Sequence, residues 1–139
     1  MNILFLCVGN SARSQIAEGL ANSMFGSRHN IKSAGSSPTG KIHPGAVSVL
    51  DEIGIDITNY KSKSINDFDE DFIDSLDLVI TLCNEEICPA LPTKARFFHW
   101  INEDPANNNL NELQSKLAFR KTRDNIFNLL KKLMLENNL

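Results

Sequence analysis

Two short apolar runs most constrain what this chain can fold into: Asn2–Leu6 ("NILFL") and Asp77–Leu82 ("DLVITL"). A strand with one wet face alternates apolar and polar residues. These runs barely do, so they read as strands buried on both faces, the pattern of a parallel sheet covered by helices. Helical patterns fall between and beyond them. Arg13–Phe25 places Ile16, Leu20 and Met24 on one face and is closed by Gly26. Pro44–Ile53 opens with a proline suited to a first turn and ends at Gly54. Asn66–Leu76 reads as an acidic helix with Phe68, Phe72 and Leu76 inward, and Glu112–Leu135 as a long C-terminal helix with Phe119, Ile126, Leu130 and Leu133 at helical spacing. Ile31–Ala34 and Ala95–His99 complete a set of four strands. The expectation is an α/β fold: a three-layer sandwich with a central, roughly four-stranded parallel sheet and helices on both faces.

With 139 residues and no linker, repeat or low-complexity tract, the chain is expected to form a single domain over residues 1–139. The net charge of −3 argues against nucleic acid as a partner, because that needs a basic face. No stretch has the length of a membrane span, and the N-terminus lacks the basic segment of a signal peptide, so a cytoplasmic location is expected. In such a reducing compartment the three cysteines, Cys7, Cys83 and Cys88, read as catalytic, redox-active or metal-bound.

Ligands of open α/β sheets sit beyond the carboxyl ends of the strands. Three strands of this chain carry chemistry there: the first ends at Cys7, "DLVITL" at Cys83, and "ARFFH" leads to Asp104. The segment after the first strand is the most informative. In "CVGNSARS", Val8, Gly9, Asn10, Ser11, Ala12, Arg13 and Ser14 can curl so that successive backbone N–H groups form an anion-binding nest. Gly9 and Asn10 tolerate the positive φ that a tight curl needs. The helix beginning near Arg13 aims its positive end at the same spot, and the Arg13 guanidinium can fork onto a tetrahedral oxyanion. That field favours the thiolate of Cys7, to which Ser14 can donate a hydrogen bond. The stretch reads as a device for attacking the central atom of a bound oxyanion. Cys83 and Cys88 are also open to a zinc-ligand reading, but a structural site needs four ligands and no second closely spaced pair exists. His99 and Trp100 read as packing residues, and His29 and His43 as loop histidines.

"CVGNSARSQIAEG" resembles the Cys-x5-Arg-Ser loop of the low-molecular-weight protein tyrosine phosphatase fold. Its Ser11, Gln15, Ala17, Glu18 and Gly19 context is more similar to the arsenate reductases built on that fold. "VITLCNEEICP" and "HWINEDPA" resemble two further segments of those reductases. The resemblance implies that Cys7 attacks arsenate, Arg13 clamps the oxyanion and Asp104 protonates the departing oxygen. It further implies that Cys83 displaces arsenite and Cys88 resolves the resulting disulfide, with Cys7–Cys83 and Cys83–Cys88 both open as the final bridge. Reduction of arsenate takes two electrons, hence two thiols, and no bound cofactor. The implied partners are arsenate and an external thiol reductant, thioredoxin or alternatively glutaredoxin or glutathione, with the chain acting as a monomer.

Two departures matter. Only "NEEI" separates Cys83 from Cys88, a short gap for the thioredoxin-linked type. Asn10, Glu18 and Ser33 match a potassium site found in some members, but Lys63 falls where an acidic residue is expected, and its ammonium group can replace the cation; no metal site is predicted. The competing reading is a phosphatase that uses Cys7, Arg13 and Asp104 alone. Against it, Ala106-Asn107 follow Asp104-Pro105 where aromatic residues would sandwich a phosphotyrosine ring.

Overall fold

The two apolar runs lie side by side at the centre of one sheet. In a computed structural model of the chain, which describes residues 1–83, 91, 93–107 and 109–139, the strands are β1 (Asn2–Cys7), β2 (Asn30–Gly35), β3 (Leu78–Thr81) and β4 (Arg96–His99). Their order is β2-β1-β3-β4, and every pairing is parallel. The helices are α1 (Arg13–Phe25), α2 (Pro44–Asp51), α3 (Glu70–Asp74) and α4 (Glu112–Asn137).

Side chains alternate across a strand, so each central strand feeds two cores. Ile3, Phe5, Leu78 and Ile80 point to the layer built from α1, α2 and α4, where they meet Ile16, Leu20, Leu50, Phe119, Ile126 and Leu130. Leu4, Leu6 and Val79 point to the opposite layer, formed with Ile73 and Leu76. All seven strand residues are 1% exposed or less, and each such side chain contributes about 1.5–3 kcal/mol. The sheet is therefore covered on both faces, as the uninterrupted apolar runs predict. β4 is different. It forms an edge, Phe97 is 41% exposed, and the Arg96 guanidinium lies 5.3 Å from the centroid of the Phe98 ring.

The continuous helix expected over Asn66–Leu76 is replaced by a 3-10 turn at Ile65–Asp67 and the five-residue α3. Short polar side chains cause the break by bonding the backbone locally. Ser64 and Asp67 close a capping box around the 3-10 turn, Phe68 is extended, and the Asp69 carboxylate starts α3 afresh by accepting from Phe72 N–H. The inward side nevertheless holds: Phe68 and Phe72 stack with centroids 4.7 Å apart, against the same layer as Leu76. Helix α2 is two residues shorter than expected and α4 two longer, with Asn138 in left-handed conformation after its end.

Two inter-element ties set the outer layer. Glu52 receives a forked pair of hydrogen bonds from Arg120 and one from Arg123, both on α4. His43 caps α2 by accepting from Gly45 N–H, and its ring lies 4.8 Å from that of Phe119. Among the described residues no helix is long and apolar enough to cross a membrane.

Candidate active site

Cys7 is the last residue of β1, and the chain after it curls back before α1 begins at Arg13. The carbonyls of that curl are all engaged, four by the segment after β2 and two by α1. Cys7 O, Val8 O, Gly9 O and Ser11 O accept from the N–H groups of Ser36, Ser37, Thr39 and His43. Asn10 O accepts from Gln15 Nε2, and Ala12 O from Ile16 N–H. In a trans peptide unit the C=O and the following N–H point in opposite directions, and no peptide bond here is cis. With six successive carbonyls engaged, the N–H groups of residues 8–13 point away from those carbonyls' partners, the arrangement that an anion nest requires. The first turn of α1 adds to it: Ala12 at the N-cap supplies no side-chain cap, so the helix N-terminus faces the nest uncapped.

Two residues make this curl possible. Asn10 adopts φ 44°, whereas Gly9, expected to share that role, does not. The Asn10 side chain is fully buried and uses every hydrogen-bonding position: Nδ2 donates to Ser14 Oγ and Ser33 Oγ, and Oδ1 accepts from Gln15 Nε2 and Lys63 N–H. Gly35, which the sequence does not single out, lets β2 pass close to the curl. A Cβ there would sit 2.3 Å from Val8 O and 2.9 Å from Asn10 N.

The groups expected beyond the strand ends lie at the same end of the parallel sheet. Cys7 Sγ lies 2.8 Å from Ser14 Oγ, and both residues are buried. Arg13 is 5% exposed; its Nη1 donates to Asn102 O at 3.0 Å, and its Nη2 lies 4.0 Å from Asp104 Oδ2. Asp104 is half-exposed, with Oδ1 accepting from Ala106 N–H. Cys83 is buried two residues past the end of β3, the strand next to β1. Leu6 pairs with Thr81, and Leu82 N–H donates to Leu6 O, so Cys83 follows one residue beyond the level of Cys7. Cys88 lies outside the described residues.

Lys63 Nζ sits 3.6 Å from Glu18 Oε1 and donates to Lys61 O at 2.8 Å. A fixed ammonium thus stands beside Glu18, where the resemblance implies potassium in some members, and the residues present do not fit an added metal ion. Trp100 packs against the core, its ring 6.5 Å from that of Phe5, and Thr81 Oγ1 is hydrogen-bonded to His99 Nδ1. Asn102 is, with Gly35, a residue that sequence reasoning missed. It is 4% exposed and polar, with only its place two residues before Asp104 as a signal.

Comparison with known proteins agrees with this geometry. The family model described as low molecular weight phosphotyrosine protein phosphatase matches residues 2–139. An arsenate reductase of Bacillus subtilis is 41% identical over 131 residues, covering 93% of this chain and 91% of that protein. A solved structure described as an arsenate reductase in the phosphate binding state superposes with a TM-score of 0.78 at 31% identity, covering 97% of each chain. The thioredoxin-dependent arsenate reductase of Corynebacterium glutamicum superposes with a TM-score of 0.71 at 29% identity, covering 98% of this chain and 63% of that one.

Proposed function

The chain belongs to the low molecular weight phosphotyrosine protein phosphatase family, and within it we propose that this protein is an arsenate reductase whose oxidising equivalents leave through a thiol relay to an external reductant. The observation that carries the reading is a pair of buried thiols at the carboxyl ends of neighbouring strands, Cys7 closing β1 and Cys83 two residues past the end of β3. A hydrolytic mechanism needs only the first.

Arsenate binds in the nest, held by the inward N–H groups of residues 8–13 and by Arg13. The Cys7 thiolate attacks arsenic. An S–As bond forms, an As–O bond breaks, and the oxygen leaves as water with a proton from Asp104. The Cys83 thiolate then attacks the Cys7 sulfur. An S–S bond forms, the S–As electron pair stays on arsenic, and arsenic(V) departs as arsenic(III) in arsenite. Two thiols are oxidised for one arsenate reduced, so the electrons balance without a bound cofactor. Cys88 then attacks Cys83 and releases Cys7, passing the disulfide to a position from which thioredoxin reduces it; glutaredoxin or glutathione is the alternative where the short Cys83–Cys88 gap disfavours thioredoxin. The enzyme acts as a cytoplasmic monomer, one domain spanning residues 1–139.

The test is a single turnover without added reductant. Fully reduced protein mixed with excess arsenate should release one arsenite per chain and lose two thiols. The Cys88→Ser variant should do the same and trap Cys7–Cys83. Arsenate that is bound without arsenite release or thiol loss, alongside hydrolysis of a phosphomonoester, would replace the reading with a phosphatase.

A further inference from the structure

Asn102 joins three parts of the site. Its carbonyl accepts from Arg13 Nη1 at 3.0 Å. Its side-chain Nδ2 donates to Trp100 O at 2.9 Å, and its Oδ1 accepts from Asn125 Nδ2, on α4, at 2.9 Å. The direction of this chain is fixed by chemistry. Trp100 O can only accept, so Asn102 must turn its NH2 toward it and its oxygen toward Asn125, and Asn125 must then be the donor. Asn102 is nearly inaccessible, so each of these bonds is costly to lose.

The surroundings give the chain mechanical weight. A cleft of about 320 Å³ is lined by Asn102, Asp104 and Pro105 of this segment and by Lys121, Thr122 and Asn125 on α4. Beside that cleft the Asn125–Asn102 bond ties the segment directly to the helix. The segment carries both the carbonyl that orients Arg13 and the Asp104 carboxylate, 4.0 Å from Arg13 Nη2.

We propose that Asn125 and Asn102 are positioning residues for oxyanion binding: the amide bond from α4 locks the Asn102 carbonyl in place, and that carbonyl fixes the guanidinium of Arg13 in the rotamer that closes the anion nest. The proposal rests on the oxyanion-binding part of the function above and not on its redox part. Losing the tie frees the Asn102 carbonyl to shift, and Arg13 must then be ordered each time an oxyanion binds.

The probe is inorganic phosphate, read as protection of Cys7 from alkylation by iodoacetamide and located by peptide mass. This readout needs no reduction, so it fails independently of the reductase reading. Asn125→Leu and Asn125→Asp both keep the side-chain outline and remove the donor; they should weaken phosphate protection about tenfold at a temperature well below unfolding. Asn125→Gln retains an amide donor and should recover most of it. If Asn125→Leu does not fold, Asn125→Asp decides. Phosphate affinity within twofold of the parent in a folded donor-less variant, even with a lowered Tm, would make the tie merely structural and overturn the proposal. So would a parent protein whose Cys7 phosphate does not protect. Loss of phosphate affinity in the variants of a parent that reduces no arsenate would uphold this proposal and remove the reductase reading.

Discussion

Ser14 Oγ stands 2.8 Å from Cys7 Sγ and at the same distance from Asn10 Nδ2. The amide NH2 donates to one lone pair of the hydroxyl, and a Cys7 thiolate has no proton to give, so toward the thiolate the Ser14 hydroxyl is the donor. Ser33 Oγ holds the other hydrogen of the same amide, so Asn10 cannot turn away. Ser14 is therefore a preset donor to the Cys7 thiolate. Its removal should act on the nucleophile more than on folding. For Ser14→Ala we expect arsenite formation in the first turnover to slow by ten- to a hundredfold, with a destabilisation of about 1 kcal/mol. Rapid-quench measurement of arsenite checks the first and urea denaturation the second. A first turnover at the parent rate would remove Ser14 from the mechanism.

The parts of the site that lie within one stretch of chain were legible in the sequence. Cys7 to Ser14 carries its own strand end, turn and helix start, and the strand runs that place Cys83 beside it are apolar enough to show burial on both faces. What was not legible depends on chain brought from far away. Four carbonyls of the curl are held by residues 36–43, a stretch that reads only as a polar loop. Gly35 matters because of where Val8 lies, and Asn102 because Arg13 reaches it across 89 positions. The helix over Asn66–Leu76 failed for a local reason: three short acidic or hydroxyl side chains capped the backbone and outcompeted the helical period.

Gly35→Ala tests the close approach of β2 to the curl. A methyl group would meet Val8 O at 2.3 Å and Asn10 N at 2.9 Å, both backbone atoms that cannot turn aside as a side chain does. The curl must shift, and with it the direction of the inward N–H groups. The expected outcome is a loss of about 1–3 kcal/mol in stability together with at least tenfold weaker phosphate protection of Cys7. Parent-like protection in this variant would mean that the nest adapts, and that Gly35 is there for folding alone.

Lys63 is the charge partner of Glu18, which is 7% exposed, at 3.6 Å. Removing the ammonium alone strands a carboxylate with little access to water. Lys63→Met should cost about 1–3 kcal/mol, since Lys63 keeps partial solvent exposure. Adding Glu18→Gln to it should restore much of the loss, because the uncompensated charge then disappears. A double-mutant cycle by urea denaturation measures this directly. Strictly additive losses would show that the two groups do not interact.

Glu52 ties α2 to α4, and hydrogen bonding from Arg120 in the first place, with Arg123 adding to it, lowers its pKa from 4.5 to about 2. A carboxyl group depressed in the folded state binds protons more readily when unfolded, so its stabilisation is fully present above pH 4.5. It is lost as the pH falls from 4.5 through 2. Many carboxylates titrate in that window, and the comparison with Glu52→Gln isolates this one. At pH 7 the variant should be the less stable protein. On acidification through pH 4.5 the two urea midpoints should converge, because the parent loses a contribution that the variant never had. The pair is exposed to solvent, so the gap at pH 7 should also shrink in 0.5 M NaCl. A gap that stays constant from pH 7 down to pH 2.5 would mean that the unfolded chain holds the same ion pair, or that the forked Arg120 contact does not persist in solution.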